Sequence, residues 1–132
     1  MESALDLTLE YLRTRVQFGK AIGSFQALQH RAVDLYIQKE LSRAALNAAA
    51  AALDDPACTP ERRAAAASSV KARASQAALA IGNEALQMHG AMGFTDEYDL
   101  GLYVNRALVL SAWLGNAAAH RRRYSSLLEA MA

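Results

Sequence analysis

Cysteine and proline are scarce in this sequence of 132 residues, which contains one cysteine and two prolines. The single cysteine, Cys58, excludes an internal disulfide framework and fits a reducing compartment. No apolar run reaches the roughly 20 residues that a membrane-spanning helix needs, and the N-terminus lacks the basic start of a secretory signal. These absences predict a soluble cytoplasmic protein that does not associate with membranes.

An excess of either charge is also absent. The 14 Lys and Arg residues stand against 13 Asp and Glu residues, which gives a formal net charge of +1. This balance produces no general attraction to nucleic acid or to acidic membranes, so nucleic acid is not expected as a partner. With 53% hydrophobic and 20% charged residues, the composition is that of a globular protein, and the length suits one domain.

Strand patterns are nearly absent, whereas helical periodicity extends along most of the chain. The two prolines lie close together, and Thr59 followed by Pro60 is typical of a helix start. Apolar residues with helical spacing then predict one long helix over residues 60–89. Ser24 is predicted to cap a second long helix that ends near Asp54.

Shorter helices are predicted on either side of this long pair. The first covers residues 3 to about 17, and helix returns near residue 100, with a continuation or restart after Gly115. Asp99 is well placed to cap the helix that begins there. The predicted fold class is all-α, an antiparallel four- to five-helix bundle that forms a single domain over residues 1–132. The long helices would reach roughly 40 Å, which indicates packing against a neighbouring subunit or domain.

Metal sites and catalytic nucleophiles have little support in the sequence. None of the three histidines, His30, His89 and His120, has a glutamate three residues before it, as di-iron bundles require. His30 and Asp34 would share a helix face, but a single pair of this kind is more often a surface contact. Cys58 has no histidine near it in the sequence, which disfavours a catalytic thiol.

The segment from Leu86 to Leu100 is the longest stretch that does not read as helix. Its glycines could form a phosphate loop, although such loops normally follow strands and this segment follows a helix. Its carboxylates, Asp96, Glu97 and Asp99, could act as acid and base, but acids before a helix start more often cap that helix. Taken alone, the segment could bind phosphate, bind metal, supply acid and base groups, or only turn the chain.

Two blocks of sequence form a combined pattern that is more specific than either block alone. The matched residues are Arg15, Phe18, Gly19, Ile22, Phe25 and Gln26 in the first block, and Gln87, Gly90, Ala91, Gly93, Phe94, Glu97, Tyr98 and Arg106 in the second. In content and in the spacing between them, these blocks strongly resemble the C-terminal domain of the acyl-CoA dehydrogenases. The resemblance covers residues 5–130, which is nearly the whole chain.

The resemblance implies an FAD site that is shared between subunits, and therefore a dimer or tetramer of identical or different chains. One subunit would contact the cofactor through Arg15, Phe18 and Gln26, and its neighbour would contribute Gln87, Gly90 and Ala91. Ala91 stands where the family usually has a second glycine. An arginine suits a pyrophosphate, and a phenylalanine suits the cofactor rings.

The resemblance departs from the family pattern at the catalytic base. In many members, a glutamate nine residues after the matched arginine abstracts the α-proton of an acyl-CoA while the flavin accepts hydride. Counting from Arg106 places Gly115 at that position, and glycine has no basic group. The family's N-terminal helical domain and middle β-domain, through which acyl-CoA would bind, are also absent from this chain. It is therefore expected to contribute FAD contacts and subunit assembly, and to be inactive alone.

The glycine at position 115 leaves several interpretations open. The base could lie on a segment before Met1, or the chain could be a base-less subunit of a heteromeric dehydrogenase. The parent protein could instead be a flavin monooxygenase of the same fold, which needs no such base. The alternative that is not an enzyme is a helical oligomerisation module that binds no flavin.

Overall fold

The protein is described by a computed structural model that covers residues 1–95 and 98–131. These residues form five α-helices and one short hairpin, so the predicted all-α bundle is confirmed. The helices are α1 (Glu2–Thr14), α2 (Gln26–Asp54), α3 (Pro60–His89), α4 (Leu100–Ala112) and α5 (Ala117–Met131). The strands β1 (Val16–Gln17) and β2 (Lys20–Ala21) pair antiparallel, and 3-10 turns occupy Ile22–Ser24 and Gly90–Phe94.

Helix α3 is the central element, because α1, α2, α4 and α5 all pack against it. Its start follows from the sequence: the Thr59 hydroxyl accepts a hydrogen bond from the Arg62 amide at 3.3 Å, and Pro60 occupies the first turn. Most of its buried side chains are small, which lets the neighbouring helices approach closely. These small buried residues are Ala65, Ser68, Ala72, Ser75, Ala77, Gly82 and Ala85.

The main hydrophobic cluster joins α1, α2 and α3 to the first residue of α4. Leu5, Leu35, Ile81 and Leu100 lie in it, and Ile81 and Leu100 are fully buried. Burying one such side chain stabilises the fold by roughly 1.5–3 kcal/mol. The cluster therefore fixes the position of α1 relative to α3, and with it the hairpin that follows α1.

The first helix is shorter than its apolar pattern predicts. It ends at Thr14 rather than near residue 17, because Arg15 adopts an extended backbone with φ −71° and ψ 122°. The chain then enters the hairpin, whose turn contains Phe18 at a φ of 54°. The Ile22 amide donates to the Arg15 carbonyl at 2.8 Å, which closes the hairpin against the end of α1.

Two predicted helix caps are wrong, although the predicted bounds of both long helices are close to those observed. The Ser24 hydroxyl donates to the Ala21 carbonyl at 2.7 Å, and α2 begins only at Gln26 without a side-chain cap. Asp99 occupies the cap position of α4 but makes no capping hydrogen bond with its side chain. Neither helix start therefore has the side-chain cap that its sequence predicts.

The turn between α4 and α5 has an unusual backbone. Leu114 and Gly115 both have positive φ, at 58° and 104°. The turn is held by Asn116, whose Oδ1 accepts from the Ala119 amide at 2.9 Å, and by His120, whose Nε2 lies 3.0 Å from the Leu114 carbonyl. The helix therefore restarts after Gly115, which was one of the two predicted outcomes.

Much apolar surface remains uncovered on α2, on α4 and in the turn after α4. Soluble proteins rarely leave large contiguous apolar patches exposed unless they are binding surfaces. No helix among residues 1–95 and 98–131 is long and apolar enough to cross a membrane. The exposed apolar residues of these elements include Val33, Tyr36, Ile37 and Leu41 on α2, Leu102, Leu108 and Val109 on α4, and Trp113 and Leu114 in the turn.

A side chain at position 115 is predicted to destabilise the protein. A Cβ there would lie 3.2 Å from Nε2 of His120, and the φ of 104° strains any residue other than glycine. We expect Gly115→Ala and Gly115→Glu to lower the free energy of unfolding by about 1–3 kcal/mol, as measured by urea denaturation. Gly101→Ala is the control, because Gly101 lies within α4 and has open space at its Cβ. Equal stability of the 115 and 101 variants would contradict this account.

Candidate functional site

The six predicted FAD contacts lie at the ends of elements, and all six are exposed. The first three surround the hairpin and the start of α2. The other three lie at the end of α3 and in the turn that follows it. In chain order they are Arg15 directly after α1, Phe18 in the hairpin turn, Gln26 at the first position of α2, Gln87 in the last turn of α3, and Gly90 and Ala91 in the 3-10 turn.

The hairpin presents an aromatic ring between cationic side chains. Phe18 is 91% exposed, and its ring meets the edge of the Phe25 ring with centroids 6.0 Å apart. The Lys20 ammonium lies 4.3 Å from the centre of the Phe25 ring, and Arg15 is exposed at the base of the same hairpin. The positive φ of Phe18 is the one that a two-residue hairpin turn requires, so the feature to be explained is the uncovered ring. This ring suits a planar ligand that carries negative charge.

The turn after α3 exposes backbone at Gly90, although the side chains of Met92 and Phe94 in the same turn are also exposed. Gly90 has φ 59° and ψ −138°, a conformation that residues with a side chain rarely adopt. No atom lies within 4 Å of the position that a Cβ would take at Gly90, so the face of the backbone there is open. Gly93 is different, because a Cβ there would lie 3.1 Å from the Leu86 carbonyl. The first glycine opens the turn, and the second lets it pack against α3.

His89 is a buried packing residue at the junction of α1 and α3. Its ring stacks on the Tyr11 ring with centroids 4.3 Å apart and also contacts Tyr98 at 5.0 Å. Its Nδ1 lies 2.8 Å from the Ala85 carbonyl, which can only accept, so Nδ1 carries the proton. Tyr11 was missed by the sequence prediction, because its partner is 78 residues away in the chain.

Burial also shifts the titration of this aromatic cluster. Burial lowers the pKa of the His89 imidazole, although the hydrogen bond to Ala85 opposes that shift. Burial raises the pKa of the Tyr98 hydroxyl, and Tyr11, once ionised at high pH, and the Glu10 and Asp99 carboxylates add to the effect. Both shifts favour the neutral forms, so the cluster is uncharged at neutral pH.

Position 115 offers no basic group, and a side chain there would be strained by the φ of 104° and crowded by His120. Its backbone is fixed by the turn, and the imidazole of His120 occupies the space beside it. The same turn borders an apolar cleft of about 400 Å³ between α3 and α4, whose lining includes Leu110, Trp113 and Leu114. Lys71 and Arg106 line the cleft as its cationic groups. The cleft suits an apolar ligand or another protein element, but nothing in it resembles a carboxylate base.

The remaining candidates form no catalytic group in the part of the chain that is described. No three His, Cys, Asp or Glu side chains among residues 1–95 and 98–131 come together as a metal site requires. Asp96 and Glu97, which could have served as acid, base or cap, lie outside the described residues. Cys58 is a free thiol in the turn between α2 and α3.

The lowered pKa of His89 predicts a loss of stability in acid. The unfolded imidazole titrates near pH 6.5, and the folded one titrates lower, so the unfolded state takes up the proton first as pH falls. We expect the free energy of unfolding to decrease as pH falls below about 6.5, and His89→Asn to reduce this dependence. Urea denaturation across this range measures it, with the exposed His30→Asn as control. An unchanged pH dependence in His89→Asn would contradict the assignment.

Known proteins share this arrangement of helices. Residues 1–126 match the family model for the C-terminal domain of acyl-CoA dehydrogenase. The acyl-CoA dehydrogenase IpdE2 of Mycolicibacterium smegmatis is 41% identical over 119 residues, which are 90% of this chain and 35% of that protein. The chain thus spans about a third of the length of this relative.

Solved structures agree with the sequence match. A variant of the Tcur3481-Tcur3483 steroid ACAD aligns with a TM-score of 0.91 at 32% identity, covering 98% of this chain and 35% of that one. The FAD complex of PigA aligns with a TM-score of 0.86 at 26% identity, covering 99% of this chain and 33% of that one. By sequence and by fold, the chain belongs to the acyl-CoA dehydrogenase family and corresponds to its C-terminal domain.

Proposed function

We propose that this chain is the C-terminal domain of an FAD-dependent acyl-CoA dehydrogenase, in which it supplies FAD contacts and subunit contacts. The observation that carries the proposal is the hairpin, which exposes Phe18 and has the cationic residues Arg15 and Lys20 before and after it in the chain. The positive φ of Phe18 belongs to the two-residue turn of the hairpin, whereas the 91% exposure of its ring has no partner within the bundle described. A flavin dinucleotide bound there would cover the ring and neutralise the cations.

The chain's own groups fit the two chemical parts of such a cofactor. The Arg15 guanidinium has the fixed geometry to donate two hydrogen bonds to a pyrophosphate. Phe18 offers an apolar face for an aromatic ring, and the amide of Gln26 is exposed at the start of α2. When bound, the flavin would supply the hydride acceptor; the residues of this chain bind and orient it.

The second segment is proposed to contact the cofactor held by a neighbouring subunit. Gln87 is exposed in the last turn of α3, and its amide can donate and accept hydrogen bonds. Gly90 and Ala91 follow in the turn whose backbone is accessible. Two exposed segments, both at element ends, would thus serve a site that one chain does not complete.

The exposed apolar faces of α2 and α4 support assembly into a dimer or tetramer. Part of this surface would also be covered by the other domains of a full-length acyl-CoA dehydrogenase. Acyl-CoA binding is proposed for that complete protein, since the chain spans about a third of the relatives it matches. Identical and different partner chains both remain compatible with these faces.

Glycine at position 115 favours a complete protein in which another domain or subunit supplies the catalytic base. Because the position has no base and strains any side chain, we propose that the proton is abstracted by a group in another domain or subunit. A heteromeric dehydrogenase in which this is the base-less subunit is therefore the second candidate. A flavin monooxygenase of the same fold would need no base here, and an oligomerisation module would need no flavin.

Removal of Arg15 is predicted to weaken flavin binding. In the full-length protein that carries this chain, Arg15→Ala should raise the dissociation constant for FAD roughly 10- to 150-fold, since a charged hydrogen-bonding group is lost. Flavin absorbance after gel filtration and titration of the apoprotein measure this change. Arg13→Ala is the matched control, because Arg13 is an exposed arginine in the last turn of α1, two residues before Arg15. Equal effects of the two variants, or a colourless wild type, would count against the flavin proposal.

The reaction class is tested with the flavin-loaded full-length protein under anaerobic conditions. Bleaching of the flavin by an acyl-CoA, with formation of an enoyl-CoA, is the expected result for a dehydrogenase. If bleaching requires a second purified subunit, the heteromeric candidate gains support. Consumption of oxygen coupled to hydroxylation of the substrate would support the monooxygenase instead of the dehydrogenase. An assembled protein that contains no flavin would support the oligomerisation module.

A further inference from the structure

We infer that Tyr11 and His89 are positioning residues that hold the backbone of Gly90 and Ala91 in the orientation needed to contact the flavin. The inference rests on the proposed function, in which the segment from Gln87 to Ala91 contacts FAD. It adds two residues that are not among the matched residues of the two blocks. Neither side chain is proposed to touch the cofactor.

His89 is held through both its side chain and its backbone. Its imidazole stacks on the Tyr11 ring with an angle of 26° between the planes, and its Nδ1 donates to the Ala85 carbonyl at 2.8 Å. The Tyr11 hydroxyl donates to the His89 carbonyl oxygen at 3.3 Å. His89 is 3% exposed, so these contacts are largely shielded from competing water.

The hydrogen bond from Tyr11 acts on the peptide group that leads into the turn. The carbonyl of His89 and the amide of Gly90 belong to one planar peptide unit, so fixing one direction fixes the other. On its other side, the Gly90 amide donates to the Gln87 carbonyl. This peptide plane is therefore held at both edges, at the point where α3 would otherwise fray.

The same tyrosine also defines the end of α1. The Arg15 amide donates to the Tyr11 carbonyl at 2.8 Å, and Arg15 is the first residue of the proposed FAD contacts. Tyr11 thus reaches one flavin-contacting segment through its backbone and the other through its hydroxyl. Its body packs against the core cluster that includes Leu12 and Met88, which keeps it from moving independently.

Tyr11→Phe isolates the positioning role, because it removes the hydroxyl and keeps the stacked ring. In the full-length flavin-loaded protein, we expect the dissociation constant for FAD to rise about 2- to 10-fold. We also expect faster hydrogen exchange at the amides of Gly90 and Ala91, with exchange in the middle of α3 unchanged. Tyr103→Phe on α4 is the matched control and should leave FAD binding and exchange unchanged.

His89 is tested by a pair of variants that separate its ring from its hydrogen bond. His89→Asn retains a donor for the Ala85 carbonyl, whereas His89→Leu removes both the donor and the stacking. A positioning role predicts that His89→Asn binds FAD more tightly than His89→Leu. Measurement of thermal stability beside FAD affinity shows whether the loss of flavin exceeds what general destabilisation explains.

The outcomes separate this inference from the proposal on which it rests. If Tyr11→Phe binds FAD as tightly as the wild type, the contact only stabilises the bundle and the inference is overturned, while the flavin proposal stands. If the wild-type full-length protein binds no FAD, both are overturned. Weakened FAD binding together with faster exchange confined to residues 90–91 is the result that supports the inference.

Discussion

Close packing on α3 is the constraint on which the rest of the molecule depends. Ala77 and Ala85 are fully buried, and a Cβ at Gly82 would lie 3.4 Å from the Val104 side chain. Protein interiors are packed as densely as organic crystals, so larger side chains here would push α1 and α4 outward. The packing of α1 and α4 on α3 therefore also positions the hairpin after α1 and the turn after α3. The small residues of α3 therefore set the geometry of the candidate flavin site.

Local signals in the sequence are sufficient to predict the long helices but not the details between them. Thr59 and Pro60 mark the start of α3 because capping is a local interaction, and it is confirmed by the structure. Ser24 carries the same signal and fails, since its hydroxyl reaches the Ala21 carbonyl instead. Which hydrogen bond the hydroxyl makes depends on the hairpin, because the hairpin places the Ala21 carbonyl within its reach. Strands of two residues are too short to produce a recognisable periodicity in the sequence.

The same distinction applies to the candidate site: some of its residues are predicted by the sequence, and others are recognised only from the tertiary structure. The family pattern predicts six residues that would contact a flavin, and the structure places all six at exposed positions. The pattern gives no sign that His89 stacks on Tyr11, because the two are 78 residues apart. Only the packing of α1 on α3 brings them together. A histidine that could have been a metal ligand is instead a neutral, buried ring.

On the proposed function, the exposed residues at element ends would hold a cofactor, whereas glycine occupies the position at which the family pattern has a base. The chain's polar side chains at element ends are exposed where a dinucleotide could reach them, whereas position 115 is crowded by the imidazole of His120. A strained turn that excludes a side chain is stable only if the surrounding contacts maintain it, and Asn116 and His120 provide those contacts. Glycine at position 115 thus fits the backbone of this turn. On the proposed function, assembly with other domains or subunits is what would turn a cofactor-holding bundle into a catalyst.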